Sequence, residues 1–337
     1  MIITRTPARI SLVGGGSDFD SWTAKNPGMV VGFAIDKYAY VSARHLPRFH
    51  PFRTRVSYSK VEEVVGLDDI EHPLVKACVN TVGWGSCHRL EITYQSDLPG
   101  RSGTGSSSAF AVGLLNALYA LRGQYRTPDQ LARNAVWVER GQLKEAGGVQ
   151  DQYWSSFGGA NAIHFRPGGA VDVFPLALSP AHLGELRDHI LLFFTGLQRT
   201  SSDVAKSYGD MGEKTAENWA MLRLAEQGKA AVEGRDWERL GHLVDQSWRI
   251  KAGLSPQVCP SQVSTLYAAV RLAGAWGGKL TGAGGGGCLV CVASPDKHEN
   301  VILAAEKLGC VHVPFDLDHS GSKVIFADKG ATRERAS

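Results

Sequence analysis

The sequence predicts a two-domain protein of the α+β class, on three observations. The chain has 337 residues, and one hydrophobic core rarely grows beyond about 250 to 300 residues. The first 60 residues are rich in Val, Ile, Tyr and Thr, which favour strands. The second half is predicted to be more helical than the first. We therefore expect domains at residues 1–180 and 181–337, divided after the Pro- and Gly-containing stretch RPGGAVDVFPLALSP.

The elements of the first domain follow from composition and periodicity. Strands are predicted for IITRTPARISLVG, MVVGFAIDKYAYVSARHL, RTRVSYS and RLEITYQS, with a helix over 69–82 between the last two. The loop DLPGRSGTGSSS leads into AFAVGLLNALYAL, which is dominated by helix formers. Thr127 and Pro128 start a further helix that should continue to about Lys144.

The second domain should begin with the strand HILLFFTG. Helices are predicted over 204–228, 237–252 and 260–274, and a last one over 298–308. The segment KLTGAGGGGCLVCVAS between them indicates strand, glycine loop, strand. Cys288 and Cys291 form a CxxC pair within this second strand, where an offset of three directs the side chains to opposite faces, so we expect packing cysteines and reduced thiols.

Charge and hydropathy exclude several classes of partner. The net charge is +3, without runs of like charge or basic-aromatic interleaving, so nucleic acid is not expected. The start MIITRTPARI lacks the features of a signal peptide, and apolar runs of 18 residues are absent from the sequence. These observations predict a cytoplasmic protein without a membrane partner. The assembly is left open, with a homodimer as one option.

Glycine is over-represented, and the surplus gathers in motifs. The chain has 39 glycines, whereas an average usage of roughly 7% would give about 24. The central motif is PGRSGTGSSSA, residues 99–109, between a predicted strand and a helix. Converging backbone N–H groups and the helix N-terminus favour phosphate there, although a serine-rich helix cap would have the same sequence. The motif has no Lys for a Walker A loop.

Two further glycine clusters are ambiguous by themselves. GAGGGG, residues 282–287, matches GxGxxG, but a strand rather than a helix should follow, which argues against a dinucleotide site and an NAD-linked oxidoreductase. It indicates close approach of a substrate or another loop, or a tight hairpin. In PARISLVGGGSD, residues 7–18, Arg9 could serve a structural ion pair and Asp18 a helix cap.

One carboxylate interrupts an apolar helix face. Ala132, Val136, Glu139 and Leu143 share a face of the predicted helix that starts at Thr127. Glu139 is then either a rim carboxylate that pairs with Arg133 or Arg140, or a functional group.

Together, in this order and spacing, the three glycine motifs resemble those of the GHMP kinases, over nearly the whole chain. PARISLVGGGSD resembles the family's first motif, PGRSGTGSSSA its phosphate loop PxxxGLGSS with Thr104 in place of Leu, and KLTGAGGGGC its third. The resemblance implies a domain like the second domain of ribosomal protein S5 followed by a ferredoxin-like domain. It also implies ATP and Mg²⁺ as cofactors.

The resemblance carries roles onto particular residues. Asp151 matches the catalytic aspartate and Arg9 the cation that pairs with it, while Ser107 and Glu139 match the Mg²⁺ ligands. The ATP loop comprises Pro99, Gly100, Arg101, Ser102, Gly103, Thr104, Gly105, Ser106, Ser107 and Ser108. The implied acceptor side comprises Gly15, Gly16, Ser17, Asp18, Gly148, Arg199, Gly284 and Gly285.

Within the family the segments GGVQDQYWSSFGG and TGLQRTSSDVA are similar to those of heptose 7-phosphate kinases. This implies transfer of phosphate to the anomeric hydroxyl of D-glycero-D-manno-heptose 7-phosphate, for nucleotide-activated heptose. Kinases of fucose, galactose or N-acetylhexosamine, and a non-catalytic sugar or nucleotide sensor, are the alternatives. Candidate partners for the distal phosphate are Arg199, Lys206, Arg44, Arg53 and Arg55.

Overall fold

The computed structural model describes residues 1–85, 89–199 and 201–328. Within these ranges the strands form an eight-stranded and a four-stranded sheet, with helices packed on both. The strands are β1 (Ile2–Val13), β2 (Gly28–His45), β3 (Thr54–Ser57), β4 (Val61–Val64), β5 (Leu90–Ser96), β6 (Ala160–Phe165), β7 (Val171–Pro175), β8 (Ile190–Phe194), β9 (Gly277–Leu280), β10 (Cys288–Val292), β11 (Val311–His312) and β12 (Lys323–Ala327).

Helices occur in both halves of the chain, and the second half has the larger share of helical residues, as predicted. They are α1 (Asp20–Thr23), α2 (Pro73–Val82), α3 (Ser106–Leu121), α4 (Pro128–Val136), α5 (Gln150–Phe157), α6 (Pro180–Asp188), α7 (Ser201–Lys206), α8 (Thr215–Glu233), α9 (Trp237–Ala252), α10 (Ser261–Leu272) and α11 (His298–Glu306). None of the helices in the described ranges is long and apolar enough to cross a membrane.

The larger sheet has the order β12-β1-β2-β5-β3-β4, and β6 and β7 extend from β2. The β3–β5 pair is parallel, whereas the other pairs of this sheet are antiparallel. Strand β12 comes from the end of the chain and pairs with β1. The domain boundary at residue 180 stays a proposal. The segment 181–337 also contributes β12 to the larger sheet.

The smaller sheet is antiparallel in the order β11-β8-β10-β9. Cys288 lies in the apolar cluster between the two sheets, whereas Cys291 lies in the cluster on the opposite face, against α10 and α11. Both thiols are buried and free. The prediction that this CxxC pair is split across a strand is therefore confirmed.

The apolar cores explain why the two sheets are held together. One cluster joins β1 and β2 of the larger sheet to β8, β10, α8 and α9. A second lies beneath α2 and α3 on the larger sheet. The first cluster spans both halves of the chain. Lys279 in β9 donates to the carbonyl of Leu12 in β1, and the loops that follow these two strands border the same space.

Most predicted helices are observed, and the differences have local causes. The single helix predicted over 204–228 is wrong, because α7 ends at Lys206 and α8 begins at Thr215. Gly209 between them has φ of 74°, which a right-handed helix does not accommodate. The helix predicted from residue 69 begins instead at Pro73, whose fixed φ suits a first helical position.

Candidate active site

A cavity of about 270 Å³ opens where the two sheets meet. Its walls come from β1, the loop after β1, the start of α3, the segment after α4, the start of α5, α7, α9 and the loop after β9. Elements far apart in the sequence therefore supply side chains to one space. The cavity is lined by polar groups of both charges, which makes it the candidate active site.

Arg9 and Asp151 form a two-pronged ion pair in this cavity. Arg9 Nε donates to Asp151 Oδ1 at 2.8 Å, and Nη2 donates to Oδ2 at 2.7 Å. Arg9 Nη1 also donates to the carbonyl of Gly103 at 2.6 Å. The Arg9 side chain is 3% exposed and that of Asp151 is 21% exposed. The guanidinium is thus fixed within the protein, and the carboxylate remains partly open to the cavity.

Asp18 is fully buried and is held by backbone donors. Its Oδ1 accepts from Gly16 N at 2.9 Å, and its Oδ2 accepts from Gln150 N at the start of α5 at 3.3 Å. Burial raises the pKa of Asp18, these N–H groups lower it, and the negative charge of Asp151 raises it further. Asp18 does not cap the following α1, but it accepts a hydrogen bond from the first residue of the more distant α5.

The start of α3 has the features of an anion site. Gly105 at the N-cap position has φ of 77° and supplies no side-chain cap, so the first N–H groups of the helix lack the usual side-chain partner. Arg101 in the same loop has φ of 63°, a left-handed conformation that is uncommon for a residue with a side chain. Ser106, Ser107 and Ser108 line the cavity at this helix end.

Glu139 lies on a π-helical extension of α4, Trp137–Gln142. Leu143 N donates to Val138 O at 3.0 Å, an i→i−5 bond that marks the widened turn. Glu139 is 1% exposed and lines the cavity. Its Oε2 accepts from Ser108 Oγ at 2.8 Å and from the Gln152 side chain.

The rim ion pair considered for Glu139 is not formed. Arg133 bonds Asp129 at 2.8 Å, and Arg140 donates to Gly148 O at 2.7 Å. A buried carboxylate beside serine hydroxyls is a hard-oxygen donor set, which suits Mg²⁺ that retains waters and phosphate oxygens as its remaining ligands. The described residues contain no cluster of three or more His, Cys, Asp or Glu side chains suited to a metal.

The glycine motif at residues 99–109 and the glycine motif at residues 282–287 interlock. Cys288 N donates to Ser102 O at 2.8 Å, which ties β10 to the loop before α3. A Cβ on Gly282 would lie 2.8 Å from Gly103 Cα, and one on Gly287 would lie 2.4 Å from Ser102 O. Of the alternatives for GAGGGG, close approach to another loop is therefore observed. Strand β10 follows the glycines directly, so the motif lacks the helix that a dinucleotide site requires.

Comparisons with known proteins agree with this geometry. Residues 73–159 match the family description GHMP kinases N terminal domain, and residues 211–309 match GHMP kinases C terminal. The chain is 31% identical to the D-glycero-alpha-D-manno-heptose 7-phosphate kinase of Campylobacter jejuni, over 91% of this chain and 93% of that protein. The chain belongs to the GHMP kinase family.

Solved structures of GHMP kinases share the fold. A crystal structure described as a D-glycero-D-manno-heptose 1-phosphate kinase from Bacteroides thetaiotaomicron aligns with a TM-score of 0.79 and 22% identity, covering 97% of this chain and 100% of that one. A putative sugar kinase from Campylobacter jejuni aligns with a TM-score of 0.75 and 27% identity, covering 96% and 97%. The predicted family and fold class are thereby confirmed, and the chain is a phosphotransferase.

This GHMP kinase brings most of the predicted site residues to the cavity. The predicted residues that line it are Arg9, Gly15, Gly16, Asp18, Arg101, Gly103, Gly105, Ser106, Ser107, Ser108, Glu139, Gly148 and Asp151. Pro99, Gly100, Ser102 and Thr104 complete the ATP loop in sequence but are not among the lining residues. The Ser102 hydroxyl bonds those of Thr104 and Ser106, so it shapes the loop from within.

Four residues predicted for the acceptor side lie elsewhere. Ser17 is buried, and its hydroxyl bonds Gly14 O and Met29 O at 2.8 and 3.1 Å. Gly284 and Gly285 pack against the backbone of the segment before α10. Arg199 is exposed on the loop before α7. None of these four residues lines the cavity. Ser17, Gly284 and Gly285 pack within the fold, whereas Arg199 is exposed to solvent.

The other candidates for the distal phosphate do not line the cavity either. Arg44 bonds Glu91 at 2.5 Å, and Arg55 lies 3.8 Å from the same carboxylate group. Arg53 directly precedes β3, and its backbone carbonyl accepts a hydrogen bond from the first residue of β5 at 3.0 Å. Lys206 is exposed at the end of α7. None of the four is among the lining residues.

Two buried lysines of this GHMP kinase were missed by sequence reasoning. Lys251 near the end of α9 and Lys279 in β9 both line the cavity. The sequence contains a signal for each of these two lysines. Lys251 follows Leu240, Val244 and Ser247 on one face of a predicted helix. Lys279 interrupts a strand that is otherwise suited to burial. As with Glu139, a charge on a buried face indicates a functional candidate.

Proposed function

We propose that this GHMP kinase transfers the γ-phosphate of ATP to the anomeric C1 hydroxyl of D-glycero-D-manno-heptose 7-phosphate and forms the 1,7-bisphosphate. The Arg9–Asp151 pair, in a cavity shared with the start of α3 and with Asp18, is the observation that carries the proposal. The similarity to a heptose 7-phosphate kinase over most of both chains supports the choice of sugar.

The triphosphate binds at the start of α3. Backbone N–H groups after Gly105 and the positive end of the helix dipole favour phosphate oxygens there. Arg101 and Ser106 line the same wall of the cavity and add a cation and a hydroxyl. Phosphoryl transfer depends mainly on positioning and on neutralising charge, and this wall supplies both.

Ser107 and Glu139 would hold the magnesium ion that the family implies. The buried Glu139 carboxylate and the serine hydroxyls at the α3 end fit its preference for hard oxygen ligands. When bound, Mg²⁺ neutralises the charge of the phosphates and fixes their orientation. Hydrogen bonds from Gln152 and Ser108 hold the Glu139 carboxylate in place.

The acceptor sugar lies on the side of Asp18 and Asp151. Asp151 is clamped by Arg9 but is partly exposed, so a carboxylate lone pair remains available to orient the attacking hydroxyl. Asp18 presents a second buried acceptor for a sugar hydroxyl. Gly15 and Gly16 line the cavity without side chains and leave room for a long sugar.

A kinase assay over a panel of sugars tests this proposal. Heptose 7-phosphate should have the highest kcat/KM, and ³¹P NMR of the product should show a new phosphate on the anomeric carbon. Faster turnover of free fucose, galactose or an N-acetylhexosamine would overturn the substrate. Absence of turnover with every sugar, despite ATP binding, would favour a sensor.

A further inference from the structure

Lys251 and Lys279 bring two ammonium groups to one cavity wall. Lys251 is 9% exposed and Lys279 is 2% exposed. Lys251 Nζ donates to the carbonyl of Gly282, and Lys279 Nζ donates to the carbonyl of Leu12 at 3.2 Å. An ammonium has three N–H donors, so each of these groups retains donors beyond its carbonyl bond.

These charges lack a close counterion. Among the described residues, neither ammonium lies within 4 Å of a carboxylate oxygen. Asp151 is already clamped by Arg9, and Asp18 is held by the backbone N–H groups of Gly16 and Gln150. A buried ammonium without an ionic partner is unfavourable. A bound anion would supply the missing ionic partner and stabilise the charged form of both lysines.

Lys251 lies close to the Arg9–Asp151 pair. Its carbonyl partner, Gly282, packs against Gly103, and the Gly103 carbonyl accepts from Arg9 Nη1. The contact between Gly282 and Gly103 therefore links Lys251 to the Arg9–Asp151 pair. Burial lowers the pKa of both lysines, and the positive charge of Arg9 lowers it further, so the three side chains share one region.

Polar atoms without partners occur in the same cavity. Ser11 Oγ and Gln150 Oε1 are buried and have no hydrogen-bond partner within the described structure, and both residues line the cavity. Ser11 precedes Leu12, whose carbonyl holds Lys279. A hydroxyl donor and an amide acceptor beside two ammonium groups match a ligand that has both phosphate and hydroxyl groups.

We propose that Lys251 and Lys279 form an anion subsite that takes a phosphate group beside the Arg9–Asp151 pair. The inference deepens the proposed function and rests on it for the identity of the ligand. The bound group can be the phosphate of the acceptor sugar or the γ-phosphate of the nucleotide, because both are phosphate groups with the same chemistry. The subsite replaces the exposed arginines as the candidate for phosphate recognition.

The test compares Lys251→Met and Lys279→Met with Lys307→Met, an exposed lysine of the same half of the chain. Binding is measured by calorimetry for heptose 7-phosphate, unphosphorylated heptose, ADP and a nonhydrolysable ATP analogue. A loss of about tenfold or more in affinity for heptose 7-phosphate, but not for heptose, supports an acceptor-phosphate source. A similar loss for the ATP analogue, but not for ADP, supports a γ-phosphate source.

Affinities within twofold of wild type for all four ligands, in variants that remain folded, would overturn the subsite. Lys251→Arg and Lys279→Arg keep the charge and should restore part of the affinity, which a role in packing alone would not predict. The proposed function is judged separately, from the sugar preference of the wild-type protein. Should another sugar be the substrate, the ATP-analogue and ADP arms still decide whether the lysines bind phosphate.

Discussion

Gly148 lies so close to Asp18 that a Cβ on this glycine would be 1.9 Å from Asp18 Oδ2. The carboxylate is buried, and Gly16 N and Gln150 N hold both of its oxygens. The glycine therefore determines where the Asp18 carboxylate lies in the cavity.

Gly148→Ala should displace Asp18 and weaken acceptor binding. We expect KM for the sugar to rise by at least about tenfold, with a smaller change in KM for ATP, because displacing a binding group by even about 1 Å is costly. Steady-state kinetics with each substrate varied in turn measure this split. Gly184→Ala is the control, since a Cβ there meets nothing within 4 Å. Unchanged sugar KM in Gly148→Ala would contradict the role of Asp18.

Asp151→Asn should abolish turnover while leaving nucleotide binding nearly intact. The amide has one acceptor oxygen where Arg9 requires two, so the clamp is broken and the attacking hydroxyl loses its orienting carboxylate. We expect kcat to fall by roughly 10²–10⁴-fold. ATP·Mg²⁺ should still raise the melting temperature. Asp129→Asn, at an exposed helix pair, is the control. Normal turnover in Asp151→Asn would rule out its proposed role.

Gly282→Ala should separate the two interlocked glycine loops. The residue has φ of 63°, and its Cβ would lie 2.8 Å from Gly103 Cα. Gly123→Ala is a matched control, with φ of 70° and nothing within 4 Å of its Cβ. The left-handed conformation alone costs about 1–2 kcal/mol in both variants. Chemical denaturation should show a larger loss for Gly282→Ala, together with weaker ATP binding. Equal losses would mean that the loops are not interlocked in solution.

Phosphate binding should weaken as the pH rises above about 8. Burial lowers the pKa of Lys251 to about 8, the charge of Arg9 adds to this effect, and Asp18 and Asp151 oppose it. Burial also lowers the pKa of Lys279, with contributions from Lys251 and Arg9. If binding requires the charged Lys251, affinity should fall by up to about tenfold per pH unit above 8. Calorimetry at several pH values measures this dependence. In Lys251→Met, the fall in affinity that comes from deprotonation of Lys251 should be absent.

The same titration of Lys251 should affect stability with the opposite sign. Above pH 8 the folded Lys251 loses its proton, whereas in the unfolded chain this lysine retains it up to its ordinary pKa of 10.5. The unfolded state then binds more protons, so the contribution of this group to the free energy of unfolding rises with pH between about 8 and 10.5. Denaturation of wild type and Lys251→Met across this window tests the sign. A wild-type contribution that falls with pH would contradict it.

Glu139→Gln should weaken magnesium binding. The amide can still accept from Ser108 and pack beside Gln152, but it lacks the charge that attracts the cation. The magnesium concentration for half-maximal activity should rise by roughly tenfold or more. Glu63→Gln, an exposed carboxylate of β4, serves as the control. An unchanged magnesium requirement would assign the ion to other groups.

Local sequence signals predicted the elements well where a cap or a periodic face was present. The helix predicted over 237–252 matches α9, and Thr127 caps α4 as expected. The signals failed where a glycine interrupted a helical pattern, as at Gly209. The widened turn that carries Glu139 also escaped prediction, because an i→i−5 bond has no periodic signature over so short a segment.

The sequence by itself determined most of the helices, the first strands, the three glycine motifs and the family, because turns, caps and hydrophobic periodicity depend on residues close together in the chain. Tertiary structure decided which groups meet. Arg9 reaches Asp151 across 142 residues, β12 returns to β1, and two lysines from α9 and β9 reach one cavity. These contacts depend on how the apolar faces of two sheets pack together, and local pattern carries no information about that packing.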